Sequence, residues 1–166
     1  AARAQALFEQ VLREKPGIAQ AQINLGLLAA GRGDYAAAVE QYQRGLAVNP
    51  QSFEGWNNLA AALLEQRRAE EARAALERAL QIRPQDPDAL FNLGIARGLT
   101  GDLSGAADAY AAVVTLVPND AEAQYRLGLI AVRLGQRERG VPALKRALEL
   151  APDHAGAAAA LRDAGG

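Results

Sequence analysis

Asparagines at positions 24, 58 and 92, followed by an arginine at 126, succeed one another at a constant interval of 34 residues. A carboxamide donates from its NH2 and accepts at its oxygen. A row of Asn24, Asn58 and Asn92, continued by Arg126, could therefore hold the carbonyl and N–H groups of an extended peptide without reading its side chains. Apolar residues accompany the row at matching offsets: Leu27, Ile95 and Leu129 stand three places after it, and Ile23, Phe91 and Tyr125 one place before. On the same face as the amides they would make a partly apolar surface suited to a protein or peptide partner. A slight rotation of the elements that carry them would instead bury them between neighbours, so their exposure decides between the two.

Other chemistry is poorly supplied. The chain has one histidine and no cysteine, and no phosphate, nucleotide or metal motif stands beside them. His154 lies next to Asp153 in what reads as a turn, where it is expected to cap a helix or face solvent. Glu70, Glu71 and Arg73 read as solubilising charge on neighbouring helical turns. No catalytic residue, metal ligand or cofactor is expected, and the chain reads as a non-enzyme. The 18 basic and 19 acidic side chains nearly cancel, so the broad positive field that nucleic acid or anionic lipid would require is missing. No apolar run approaches the roughly 18 residues of a membrane span, and no N-terminal series reads as a signal peptide. No membrane insertion of this segment is expected. Arginine far outnumbers lysine and position 1 is not methionine, which points to a piece of a GC-rich bacterial protein, from cytoplasm or periplasm.

The elements that must position the amide row follow the same interval. Pro16, Pro50, Pro84, Pro118 and Pro152 are spaced by 34 residues, each after an Ala- and Leu-rich amphipathic stretch. Proline just beyond such a stretch ends a helix, and the following Ser52, Asp86 and Asp120 are good N-caps for the next. Midway, Gly31-Arg32-Gly33-Asp34, Thr100-Gly101-Asp102 and Gly135-Gln136 supply left-handed helix stops. The pattern predicts first helices near 19–31, 53–65, 87–99 and 121–133, and second helices near 35–47, 69–81, 103–115 and 137–149. Pro142 is expected to loosen the start of the last of these, because its ring removes a donor and crowds the carbonyl of Glu138.

This 34-residue helix-turn-helix unit resembles the tetratricopeptide repeat family. The second unit carries the signature as Trp56, Leu59, Ala60, Leu63, Ala72, Leu76, Ala79 and Pro84. The others keep its core as Leu25, Gly26, Ala38, Tyr42 and Pro50; Leu93, Gly94, Ala106, Tyr110 and Pro118; and Leu127, Gly128, Gly140, Leu144 and Pro152. Gln22 and Gln124 depart from the family's Trp and Arg97 from its Tyr, which should weaken local packing. Small residues let paired helices approach, with Gly26, Gly94 and Gly128 expected to face Ala38, Ala106 and Gly140.

The resemblance implies an all-α fold, a right-handed superhelical solenoid of antiparallel helix pairs. Full units would span 19–52, 53–86, 87–120 and 121–154, with 1–18 the second helix of a truncated unit and 155–166 the start of a further, capping helix. Residue 1 falls inside a helix without its partner, so the parent protein is expected to continue upstream. First helices would line a concave groove in which the amide row is similar to the asparagine ladder of the repeats of O-GlcNAc transferase. The carboxylate clamp of chaperone-binding members is not expected: only Asn92 and Arg126 fit it, while Asn57, Ala61 and Glu122 stand where Lys, Asn and Lys are needed. Acids at Glu54, Asp88 and Glu122 on the groove rim suit a helix's first turn through the macrodipole. The expected function is an adaptor or scaffold that binds a peptide segment of a partner. The alternatives are a recruiting arm of a larger enzyme, such as a glycosyltransferase, and self-association through exposed repeat edges, where Leu7, Phe8, Val11 and Leu12 lack a neighbouring unit.

Overall fold

The structure, a computed structural model, describes residues 2–15 and 17–165, with the backbone alone for Ala2 and Ala4. Pro16, expected at the first junction, lies outside the described residues. Among those described, the chain forms ten α-helices and no strand: α1 Ala2–Glu14, α2 Ala19–Ala30, α3 Tyr35–Val48, α4 Phe53–Glu65, α5 Ala69–Ile82, α6 Pro87–Leu99, α7 Leu103–Leu116, α8 Ala121–Arg133, α9 Arg137–Leu150 and α10 Ala155–Gly165. Each second helix outlasts its expected end by one residue, an apolar or aliphatic one in every repeat (Val48, Ile82, Leu116, Leu150).

The helix starts are chemically defined. The carboxylates of Asp34, Asp86, Asp102 and Asp120 and the hydroxyl of Ser52 accept hydrogen bonds of 2.8–3.1 Å from the N–H three residues on. Each such cap contributes about 1 kcal/mol. The turns inside the repeats use left-handed backbone at Gly33 (φ 78°), Gly101 (φ 86°) and Gly135 (φ 75°), and at the equivalent Arg67 (φ 59°), where no glycine is present.

The chain divides into two compact units, Ala1–Pro84 and Gln85–Gly166. In the first, α2 pairs with α3 and α4 with α5, α3 packs on α4, and α1 packs on α2. In the second, α6 pairs with α7 and α8 with α9, α7 packs on α8, and α10 packs on α8 and α9. Leu76 in the first unit and Leu144 in the second are fully buried, and burial of a leucine side chain stabilises by about 1.5–3 kcal/mol.

The close approaches differ in partner from the expectation. A Cβ on Gly26 would fall 2.5 Å from the Tyr42 ring, and one on Gly94 would fall 2.7 Å from the Tyr110 ring. The tyrosines, rather than Ala38 and Ala106, are thus the nearest obstacles. Gly128 meets Leu144 at 2.6 Å and the Gly140 carbonyl at 3.0 Å, so there the expected glycine pair does face itself.

Two departures from the signature prove to be substitutions of hydrogen-bond function. Trp56 Nε1 donates to the Pro50 carbonyl at 2.8 Å, and Gln124 Nε2 donates to the Pro118 carbonyl at 3.2 Å, so glutamine keeps the indole's bond to the preceding junction. Arg97 reaches across its turn to donate to the Gly105 carbonyl at 3.1 Å. Gln22 shows no such gain, since its Oε1 is buried without a hydrogen-bond partner among the described residues. At Pro142 the expected loosening does not interrupt the helix: α9 runs unbroken through it. The proline is exposed, while Gly140, Ala143, Leu144 and Ala147 on the other face are buried. Packing of that face holds the helix past one missing donor.

Candidate functional site

In the first unit, α2 and α4 carry the amides. Asn24 is half-buried and its Oδ1 accepts from Gln20 Nε2 at 3.1 Å, one turn earlier on α2. Leu27, on the same face three residues on, is 47% exposed. Asn58 on α4 is half-buried and its amide makes no side-chain hydrogen bond among the described residues. Ile23 is a correction: it is 1% exposed, and its Cγ1 lies 2.9 Å from where a Cβ on Gly45 would be. Glycine at 45 lets α2 and α3 close over the isoleucine, which removes Ile23 from any surface.

In the second unit the corresponding positions lie on α6 and α8. Asn92 is half-buried, again with no internal side-chain hydrogen bond among the described residues. Phe91 packs edge-on against Tyr110 with ring centroids 5.4 Å apart. Ile95 leans on the buried group that contains Tyr110, Leu127 and Ile130, and Leu129 on the one that contains Leu144 and Ala157. These apolar candidates are therefore half in the core and half open, between the two arrangements the sequence allowed.

Arg126 is not a free cation. Its Nε donates to Glu122 at 2.6 Å, one turn back on α8, and the second oxygen of Glu122 lies 3.2 Å from His154 Nε2. His154 Nδ1 accepts from the Ala157 N–H at 3.1 Å and so caps α10. With Nδ1 as acceptor, the neutral ring carries its proton on Nε2 and donates it to Glu122, an assignment made from the network. Tyr125 packs against the imidazole at 4.4 Å between centroids, the two rings tilted by 48°. Burial would raise the Glu122 carboxyl, but the hydrogen bonds from Arg126 and His154 outweigh it and hold it below the usual carboxylate range. The cap role expected for His154 is present; its bond to Glu122, 32 residues away, carries no signal in the sequence.

The other rim acids divide. Glu54 pairs with Arg83 at 2.6 Å, and that guanidinium lies 4.3 Å over the Phe53 ring. The Glu54 carboxyl is held down first by its own backbone hydrogen bond and then by Arg83. Asp88 has no ion pair among the described residues, which leaves the helix dipole as its explanation.

Alongside α6 and α8 the second unit opens a cavity of about 210 Å³. The sequence pointed to Ile95 and Leu129 among its lining, but not to Gly98 or Arg133, which also border it. The available signal was a glycine well inside the last turns of a helix. A Cβ at Gly98 would meet nothing within 4 Å, so no close packing requires glycine there. Among the described residues, no group of three or more His, Cys, Asp or Glu is arranged to hold a metal ion, and no helix is long and apolar enough to cross a membrane.

Known proteins share this architecture. The chain is 37% identical over 75 residues to the peroxisomal targeting signal receptor of Saccharomyces cerevisiae, covering 45% of this chain and 12% of the receptor. It is 32% identical over 94 residues to the receptor of Eremothecium gossypii, covering 54% of this chain and 16% of that one. The chain thus spans less than a fifth of the length of these relatives. Among solved structures, YrrB, described as a TPR protein with an unusual peptide-binding site, superposes with a TM-score of 0.88 at 25% identity, over 97% of this chain and 83% of that one. MamA superposes with a TM-score of 0.84 at 24% identity, over 91% and 88% of the two chains. Residues 1–47, 25–87, 83–121, 91–155 and 125–164 each match the tetratricopeptide repeat profile. With capped helix pairs recurring every 34 residues and glycine closing on tyrosine between them, the chain belongs to the tetratricopeptide repeat family.

Proposed function

We propose that this chain is a protein-interaction scaffold that holds a peptide segment of a partner along the first helices of its repeats. Asn24, Asn58, Asn92 and Arg126 would meet the peptide main chain, and Leu27, Ile95, Leu129, Phe91 and Tyr125 would supply apolar contact. The observation that carries the reading is that Asn58 and Asn92 are half-open with their amides uncommitted, at equivalent positions of successive repeats. YrrB, described with a peptide-binding site, and the relatives described as targeting signal receptors lend support. In this reading residues 1–166 work as one repeat array, no cofactor or catalytic step is involved, and no nucleic acid or membrane is a partner.

The test is calorimetric titration of a partner peptide, isolated with this chain as bait, against the Asn58→Ala, Asn92→Ala double variant. Loss of two hydrogen bonds at roughly 0.5–1.5 kcal/mol each should weaken binding by about fivefold to a hundredfold. Helicity should be unchanged. Unaltered affinity would leave the asparagines as ordinary features of the repeat.

Self-association is a second reading, favoured by Leu7, which is 59% exposed on α1 while Phe8, Val11 and Leu12 are half-buried. Light scattering across a concentration series distinguishes it, because a monomer at all concentrations rules it out.

A further inference from the structure

The cavity of the second unit has a chemical character of its own. Its walls include the side chains of Ile95, Leu99, Leu103, Leu129 and Ile130 and the ring of Tyr110, and Leu99 is 63% exposed at its edge. Two arginines of α8 border the same space, Arg126 and Arg133, seven residues or about 10 Å apart along the helix. Among the described residues no carboxylate lines it. Arg126 is neutralised by Glu122 at 2.6 Å, whereas Arg133 is exposed and has no ion pair among the described residues.

Gly98 borders the cavity without a side chain of its own. The equivalent positions of the other full repeats are Ala30, Leu64 and Val132, each with a side chain. Glycine is a poor helix residue, and the position demands no close approach, since a Cβ there would meet nothing within 4 Å. A residue that weakens its helix without a packing reason, beside an apolar hollow, is accounted for if the hollow must stay empty for a ligand.

We infer that this cavity is a side-chain subsite for an internal peptide segment in which an aliphatic or aromatic residue is flanked by an acidic one. The apolar side chain enters beside Gly98, and the neighbouring carboxylate pairs with Arg133. The inference rests on the peptide-binding reading above and names the ligand class at one place in it. The acid is assigned to a side chain of an internal segment, and peptides blocked at both ends test that assignment against a terminal carboxylate.

The test uses N-acetylated, C-amidated peptides with Glu-Leu-Glu at the centre of a Gly-Ser context, titrated into the full chain and followed by amide NMR shifts. Shifts are expected at Gly98, Leu99 and Arg133. Binding should weaken at least fivefold when the central Leu is replaced by Ser or the flanking Glu residues by Lys. Gly98→Leu should abolish binding at unchanged or higher melting temperature, and Arg133→Glu should weaken the acidic peptide at least fivefold while leaving the Lys-flanked one unaffected or improved. Equal binding of the Ser-centred peptide, an unaltered Gly98→Leu titration, or absence of localised shifts at millimolar peptide would overturn the subsite. So would a strong preference for a free C-terminus, which would make the ligand a terminal carboxylate. Asn92→Ala separates the two readings: if it weakens binding and Gly98→Leu does not, the amide row stands and the subsite falls. If Gly98→Leu acts alone, the subsite stands and the amide row falls.

Discussion

The ring of Tyr110 fills the space that a side chain on Gly94 would need, with Cε1 and Cζ both 2.7 Å from a Cβ built there. Tyr110 is 2% exposed and belongs to the core of the second unit, so a side chain at 94 must displace a packed ring. Gly94→Leu should therefore cost roughly 1–3 kcal/mol or more through overpacking. Leu99→Ala trims an exposed side chain and should cost less than about 1 kcal/mol. Urea melts should show the larger fall in midpoint for Gly94→Leu; the reverse order would mean that Tyr110 swings aside.

Arg67 is the one non-glycine residue with positive φ among the described residues, and glycine stands at its equivalents 33, 101 and 135. Left-handed backbone costs an L-residue about 1–2 kcal/mol, and the extra freedom of glycine in the unfolded chain takes back about 0.5–1 kcal/mol. Arg67→Gly should thus stabilise by roughly 0.5–1 kcal/mol, a rise in Tm of about 1–4 °C. A lower Tm would show that the arginine side chain compensates for its backbone.

Burial pushes the phenols of Tyr42 and Tyr110 up to about 12. In the unfolded chain they ionise near 10, so above that pH the unfolded state sheds protons that the folded state keeps. The stabilisation from keeping them neutral is complete below about pH 10 and is lost as pH rises towards about 12. Denaturant midpoints should fall over that window, and Tyr110→Phe should flatten the fall relative to its own value at neutral pH. An equal slope in the variant would place the alkaline sensitivity elsewhere.

The helix boundaries were legible because they rest on local rules: a proline after each second helix, Asp or Ser before most of the next, and glycine in three of the four turns between. What the sequence left open was set by contacts across helices. Ile23, Phe91 and Tyr125 occupy the same place in their repeats, yet the first is buried over Gly45, the second meets Tyr110, and the third packs against His154. The difference lies in the residues opposite, which periodicity along one helix does not report. Pro142 misled for a related reason, since its local cost is real but the buried opposite face of α9 outweighs it. Arg126 looked like a ready cation although its partner Glu122 stands one turn back on the same helix; what periodicity does not report is the bond that His154 brings to Glu122 from 32 residues away.

Trp56 is the chain's single tryptophan, half-buried in the first unit and tethered by its indole N–H to the Pro50 carbonyl. The matching places in the second unit are taken by Leu90 and by Gln124, which keeps the bond; both are optically silent. Nature has thereby placed a one-sided fluorophore: indole emission follows the opening of Ala1–Pro84 alone, while far-ultraviolet dichroism averages over every helix. The separation between those two signals during a melt is a direct reading of how tightly the halves are coupled in folding, obtained without introducing a label.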